Sequence, residues 1–434
     1  MATRGLPTTL LKRSFRSTRV GQIQQIRPLS LYEYQSRDIL CEAGIPVPRG
    51  KVAETPAQVR DIVKELGGKC VIKSQILKGG RGKGTFDSGL KGGIQIINTP
   101  EEGEIIADQM LGHKLKTKET PGDGLMVNKL LVAEAIKYDD EWYLAMTIDR
   151  ENYAPVIILS KNGGVDVETT AKETPGNLHS FHFKLSEGIA PELMKNIAAS
   201  LGISQVETSN LKNILDRLYK IFAEKDATLL EINPLVLSAN GSFTAVDAEF
   251  SFDNAAEKRQ KDLFALRDFA QEVPEEVEAE QYGLVYVRMD GNIGNVVNGA
   301  GLAMATNDAI AYHGGASANF LDAGGQATRE TMQKAFEIIL RDPRVKTILV
   351  NIYGGIIRCD MIAESIIGAA KELGPFRVPV VVRLQGTNSA EGLKLLEDAN
   401  LGLHTEAEFG EAARKAVALA EAAPTSDRQQ TAAV

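Results

Sequence analysis

Residues 226–250 read DATLLEINPLVLSANGSFTAVDAEF. Two apolar, strand-like runs flank Asn240-Gly241, a pairing that favours a tight β-hairpin. Glu231 and Asn233 lie two residues apart and therefore share one face of the first strand, while Asp247 lies on the returning strand. A two-residue turn at Asn240-Gly241 would pair Asn233 with Ala248 and send Asp247 to the opposite face. A three-residue loop, Ala239-Asn240-Gly241 with Gly241 left-handed in a bulge, pairs Asn233 directly with Asp247, and this is the register we predict. One amide and one carboxylate make a sparse ligand set. That suits Mg²⁺, whose octahedron is completed by phosphate oxygens and water, although an ordinary exposed hairpin carries the same residues.

Residues 71–84, VIKSQILKGGRGKG, supply a second signal. A backbone that wraps a polyphosphate needs glycine, because a Cβ blocks close approach. Gly79, Gly80, Gly82 and Gly84 give that freedom, and Arg81 and Lys83 add charge. Lys73, at the end of a strand, can act as a fixed point charge. The stretch lacks the GxxxxGK[ST] pattern, so no P-loop fold is implied, and a solvated loop is the competing reading.

The chain has 434 residues, with 43% hydrophobic and 24% charged residues. That length is enough for two to four domains. No apolar run reaches the length of a membrane span, so no membrane insertion is expected. The net charge is −8, yet residues 1–30 carry Arg4, Lys12, Arg13, Arg16, Arg19 and Arg27 and no acid, which leaves about −14 on the remainder. This pattern predicts a mitochondrial transit peptide over 1–30; a basic arm binding nucleic acid is the alternative, disfavoured by the acidic body. Cys41, Cys70 and Cys359 are too few and too scattered for a disulfide framework or a zinc site.

The spacing of apolar residues predicts a mixed α/β region over 31–270, an acidic linker at 271–281, a second domain over 282–422 and a disordered tail over 423–434. In the second domain, LVYVRM, ANFLDAG, TILVNIYGG and VPVVVRLQGT read as apolar strands, each running into a helix. Such alternation means a doubly wound parallel sheet. At Gly354-Gly355 a strand hands directly to a helix whose free N–H groups face the sheet's carboxyl edge, an anion site in prospect. Asn298-Gly299-Ala300-Gly301 forms a second such turn. Tight strand–helix packing also uses glycine.

EINP followed by an acid across a hairpin and preceded by K...GGRGKG resembles the ATP-grasp nucleotide-binding fold. The stretches DGNIGNVVNGAGLAMATNDAIAYHGGASANFLDAGG, VNIYGGIIRCD and VVVRLQGTN resemble the succinate–CoA ligase (succinyl-CoA synthetase) β-subunit family, and the likeness runs from LYEYQ to about residue 421. The resemblance implies an ATP-grasp fold of two subdomains followed by a flavodoxin-like CoA-ligase domain. It implies nucleotide contacts at Lys73, Gly80, Arg81, Gly82 and Glu141, with Val132, Ala133 and Glu134 near the base, where LLV is followed by Ala133 rather than the acid of bacterial members. It implies Mg²⁺ ligands at Asn233 and Asp247, a catalytic acid at Glu231, and substrate contacts at Asn298, Gly355, Ile356 and Ile357.

The implied reaction converts succinyl-CoA, phosphate and ADP or GDP to succinate, CoA and ATP or GTP, in the tricarboxylic acid cycle of the mitochondrial matrix. It passes through a phosphohistidine. None of His113, His179, His182, His313 and His404 sits in a glycine-rich loop suited to that role. The resemblance therefore implies a heterodimer, or an α2β2 assembly, whose α subunit supplies the histidine. Malate or citrate as the acid substrate, or a nucleotide-sensing subunit without chemistry, are the competing functions.

Overall fold

The computed structural model describes residues 29–164, 175–324 and 328–423. The expected transit peptide, except for Leu29 and Ser30, and the tail from 424 onward lie outside them. Contacts divide the chain into two units between Gln271 and Glu272.

The first unit begins earlier than the presequence reading allowed. Leu29–Ser30 is already a strand, paired antiparallel with Phe252 and Ser251, and Leu29 is buried. It opens a seven-stranded sheet in the order Leu29–Ser30, Ala248–Phe252, Ala227–Leu237, Asp140–Asp149, Ala154–Ser160, His179–His182, with Phe243–Ala245 also on Ala227–Leu237. Helices Glu33–Glu42, Pro191–Leu201 and Gln205–Glu224 put Leu40, Ile197, Leu215 and Leu218 into one core with Trp142, Leu144, Phe250 and Phe252 of this sheet. Fully burying side chains of this size contributes roughly 1.5–3 kcal/mol each. Gln205–Glu224 starts on a reciprocal cap. Ser204 Oγ accepts from the Glu207 N–H at 3.2 Å, and Glu207 accepts from the Ser204 N–H at 2.7 Å.

A second, four-stranded antiparallel sheet runs Gly50–Ala53, Leu130–Glu134, Cys70–Ser74, Ile94–Ile97. Helices Pro56–Leu66 and Pro100–Met110 belong to its core through Val59, Val63, Ala107 and Met110. Each helix has threonine at its N-cap and proline at its first position, where a missing N–H costs nothing.

The second unit holds a parallel sheet in the order Ile293–Val297, Thr347–Gly354, Val380–Gly386, His404–Thr405. Alternate residues feed two separate cores. Leu349 and Val381 pack with Ile310, Ala413, Ala416 and Val417, whereas Ile348, Val350, Val380 and Val382 pack with Phe336, Ile362 and Ile366. Helices thus cover both faces, the doubly wound arrangement read from the near-continuous apolar strands.

Two expectations are corrected here. LVYVRM does not run into a helix: Val285–Arg288 pairs antiparallel with Asn319–Asp322 in a two-stranded sheet, and the parallel sheet instead begins at Ile293–Val297. That strand was concealed by Gly294 and Asn295. A Cβ at Gly294 would come within 2.4 Å of Ile339, and Asn295 is buried while bonding Asn319 through both its N–H and its amide. The acidic segment 271–281 is not a linker either, for Pro274–Gln281 is a helix whose Ala279 is fully buried in the second unit's core. Its remaining residues are mostly charged, so composition alone resembled a loop.

Candidate functional site

A cleft of ≈ 1700 Å³ opens in the first unit between the four-stranded and seven-stranded sheets. The hairpin that forms one wall has the three-residue register. Ser238 N donates to Ser242 O at 3.0 Å, Gly241 N donates to Ser238 O at 2.8 Å, and Gly241 is left-handed at φ 78°. Asn233 therefore faces Asp247, with Asn233 N donating to Asp247 O at 3.1 Å, and Glu231 faces Glu249.

On its other side the strand Ala227–Leu237 bulges. Asn233 and Pro234 together oppose Tyr143, because Ile232 pairs with Leu144 while Leu235 pairs with Trp142. The returning strand also breaks, into Phe243–Ala245 and Ala248–Phe252, at Val246-Asp247. Both irregularities fall at the residues that carry polar groups into the cleft.

Opposite lies the glycine-rich loop. Gly80 is left-handed at φ 73° and leads into a short 3₁₀ turn over Arg81–Lys83. A Cβ on Gly79 would meet the Glu119 carboxylate at 2.7 Å. Lys73, buried at the end of its strand, donates to Glu33 at 2.6 Å and to Val246 O at 2.9 Å, and stands 3.7 Å from Asp247. Arg81 donates through one nitrogen to Glu33 at 2.6 Å and to Ser74 O at 2.9 Å, and through the other to both oxygens of Asp247 at 3.0 and 2.9 Å. Two cations and two carboxylates form one closed network.

The electrostatics follow from that packing. Burial raises the Glu33 carboxyl, but Lys73 and Arg81 outweigh it and hold the group down at about 2. Burial also works against the Arg81 charge, and Asp247 and Glu33 overcome it, so the guanidinium pKa rises. Burial and the neighbouring Glu33 push Asp247 upward against the pull of Lys73 and Arg81. Burial pushes Glu231 up to about 7; the Tyr143 hydroxyl, which donates to it at 3.0 Å, opposes the rise, while Glu249 and Asp247 add to it.

The cleft brings together Lys73, Gly80, Arg81, Gly82, Ala133, Glu134, Glu141, Glu231, Asn233 and Asp247. Glu134 accepts from Arg49 at 2.9 Å, and Glu141 accepts from the Tyr138 hydroxyl at 2.6 Å. Asn233 Oδ1 accepts from the Gly164 N–H at 2.7 Å. Val132 is a correction: its side chain is fully buried in the core, and its residue pairs with Lys51 on one side and Ile72 on the other. Sequence reading missed Glu33, Tyr143 and Glu249. Glu33 stands at the first position of a helix, where an acid is ordinary, and that is the only local signal it offers.

Asn298, Gly355, Ile356 and Ile357 lie in the second unit, at the carboxyl edge of the parallel sheet. Asn298 clamps Tyr353, accepting from its N–H at 2.9 Å and donating to its carbonyl at 2.8 Å. Gly355 has open space where a Cβ would stand, and Ile356 is 87% exposed. The Ile357 side chain is buried in the core at 3% exposure. The handover from strand to helix is also less direct than expected: the strand ends at Gly354 and the helix starts at Cys359, whose N–H donates to Thr387 O at 3.0 Å.

Among the described residues there is no cluster of three or more His, Cys, Asp or Glu side chains suited to a metal. An ion at Asn233 and Asp247 would draw on an amide and a carboxylate only. Those two residues face each other at the cleft wall, and their oxygens now take up N–H donors. The donor set therefore fits a hard cation that brings further oxygen ligands with it.

Comparison with known families matches the ATP-grasp domain over residues 30–237 and the CoA-ligase domain over residues 296–417. Fold and cleft together define an ATP-grasp CoA ligase. The mitochondrial ADP-forming succinate–CoA ligase β subunit of Neurospora crassa is 46% identical over 399 residues, 92% of this chain and 89% of that protein. The mitochondrial GDP-forming β subunit of Dictyostelium discoideum is 43% identical over 394 residues, 91% of this chain and 94% of that protein. The chain belongs to the succinate–CoA ligase β-subunit family. A solved ATP citrate lyase from Methanothrix soehngenii, in complex with citrate and coenzyme A, shares the fold, with TM-score 0.62 and 19% identity over 88% of this chain and 96% of that one.

Proposed function

We propose that the cleft of the first unit binds ADP or ATP with Mg²⁺, and that the chain passes a phosphoryl group between this nucleotide and a histidine on a partner α subunit. The observation that carries this is the convergence of Lys73 and Arg81 upon Asp247 opposite Asn233. Lys73, the Gly80–Gly82 backbone and Arg81 hold the phosphates, Glu141 and the Ala133–Glu134 edge hold the nucleoside, and Asn233 and Asp247 hold the cation. Mg²⁺ supplies charge neutralisation between phosphate oxygens when bound.

The chain's own contribution is positioning and electrostatics. Lys73 and Arg81 meet the charge that spreads over the transferring group, and their anchorage on Glu33 fixes them in advance. Glu231, steadied by Tyr143, is the acid beside the transferring group. Asn298, the Gly355 turn, and the backbones of Ile356 and Ile357 hold the phosphate or acyl phosphate at the sheet's carboxyl edge. Succinate and CoA are the remaining substrates. The mitochondrial matrix is the proposed location, supported by the acid-free start and by the names of the relatives above.

ADP is the favoured diphosphate, GDP the alternative. The test is turnover of the chain with its partner, using ADP and GDP against succinate, malate and citrate. Succinate-dependent turnover with ADP dominant is expected; turnover confined to malate or citrate would refute the substrate assignment.

A further inference from the structure

Both cationic phosphate donors assigned above already hold carboxylates of this chain. Glu33, 6% exposed, takes Lys73 on one oxygen and Arg81 on the other, both at 2.6 Å. Asp247 takes the second guanidinium nitrogen. Glu119 accepts from the Gly79 N–H at 3.1 Å. A carboxylate and a phosphate ask the same of these donors: two oxygens, negative charge and a planar approach to guanidinium.

We infer that Glu33 is an internal surrogate for nucleotide phosphate, a positioning residue that keeps the Lys73–Arg81 cradle neutral and makes nucleotide binding conditional on a divalent cation. The inference rests on the nucleotide reading of the cleft. At Lys73 and Arg81 two cations face one buried and one partly buried carboxylate, so a metal-free diphosphate finds no unpaired charge on this pair. It would have to displace Glu33 or Asp247 and strand that carboxylate in a low-dielectric site, where breaking one side of a buried pair is the costly event. Glu231 and Glu249 share the cleft with it, and Lys78, Lys83 and Lys118 line the cleft elsewhere. With a divalent cation present, Asp247 exchanges Arg81 for the metal and Arg81 exchanges Asp247 for phosphate. No charge is left alone.

Removing the Glu33 charge alone unbalances the cradle toward positive, whereas a merely structural Glu33 would weaken every ligand equally. The experiment is calorimetric titration of ADP into the full chain, wild type and Glu33→Gln, with a chelator and with Mg²⁺. Glu33→Gln should tighten metal-free ADP by roughly tenfold and shrink the Mg²⁺ dependence of affinity by a similar factor. Unchanged or weaker metal-free binding by the folded variant overturns the inference.

Mn²⁺ binding to the wild-type chain, followed by electron spin resonance, needs no variant. It should tighten at least about tenfold when ADP is added, because Arg81 holds Asp247 until phosphate draws it away. Equal Mn²⁺ affinity with and without ADP overturns the inference too. A wild-type chain that binds ADP under neither condition would instead defeat the nucleotide reading itself, an outcome separate from the Glu33→Gln result.

Discussion

At the scale of single residues, Lys73 is the pivot of the cleft. Its side chain is 6% exposed and the side chain of its partner Glu33 4%. With Lys73 gone, Glu33 keeps Arg81 and a long bond from the Gln75 amide at 3.4 Å. Lys73→Met should therefore abolish nucleotide binding and also destabilise the first unit by about 3 kcal/mol. Adding Glu33→Gln to Lys73→Met should recover much of the stability and none of the binding. Chemical denaturation and ADP titration of the three proteins measure both. Lys73, Arg81, Asn233 and Asp247 were legible in the sequence because each belongs to a local pattern: a strand end, a glycine run, or alternate positions of a hairpin. Glu33 was not. Its partners stand 40 and 48 positions away, and nothing local distinguishes a buried acid at a helix start from a solvated one.

At the scale of elements, turn chemistry carried the reading. The Asn240-Gly241 pair, with the pleat of the strands, led to the register that sets Asp247 against Asn233. Gly241 has a left-handed φ. Gly241→Ala should cost on the order of 1 kcal/mol and leave ADP affinity unchanged, as thermal denaturation and titration would show. Gly386 is less tolerant. At φ 90° a Cβ there would stand 2.1 Å from the Gly354 carbonyl oxygen. Gly386→Ala should destabilise the second unit by about 2 kcal/mol or more, read by the same denaturation.

The helix Cys359–Leu373 carries its own pH dependence. Arg358 holds the Asp360 carboxyl down at about 2 against the opposing effect of burial, with Asn388 helping. A depressed carboxylate stabilises the fold above its unfolded value. Here that value is near 3.8, and the contribution is lost as pH falls toward 2. Asp360→Asn should lower stability at pH 7 and flatten the acid loss between pH 4 and 2. Elements failed to read correctly where a polar or small residue was required by a distant neighbour. Gly294 and Asn295 masked the first strand of the parallel sheet because Ile339 and Asn319 dictate them, and the charged Pro274–Gln281 helix shows only Ala279 to the core.

At the scale of the whole molecule, the division into an α/β nucleotide region and a doubly wound region was visible in the change from mixed short strands to near-continuous apolar ones. The boundary between Gln271 and Glu272 falls where acidity rises and large apolar residues thin out. The histidines bear on the proposed phosphoryl transfer: His313 caps a helix end, and His113 and His182 are paired with Asp87 and Asp149. On the proposed reading the chain is a phosphoryl donor without its own acceptor. Labelling with γ-phosphate-labelled ATP and Mg²⁺, in the presence and absence of the partner subunit, tests this most directly. Label on a partner histidine, lost with Lys73→Met, is the predicted result; label on this chain itself would contradict it.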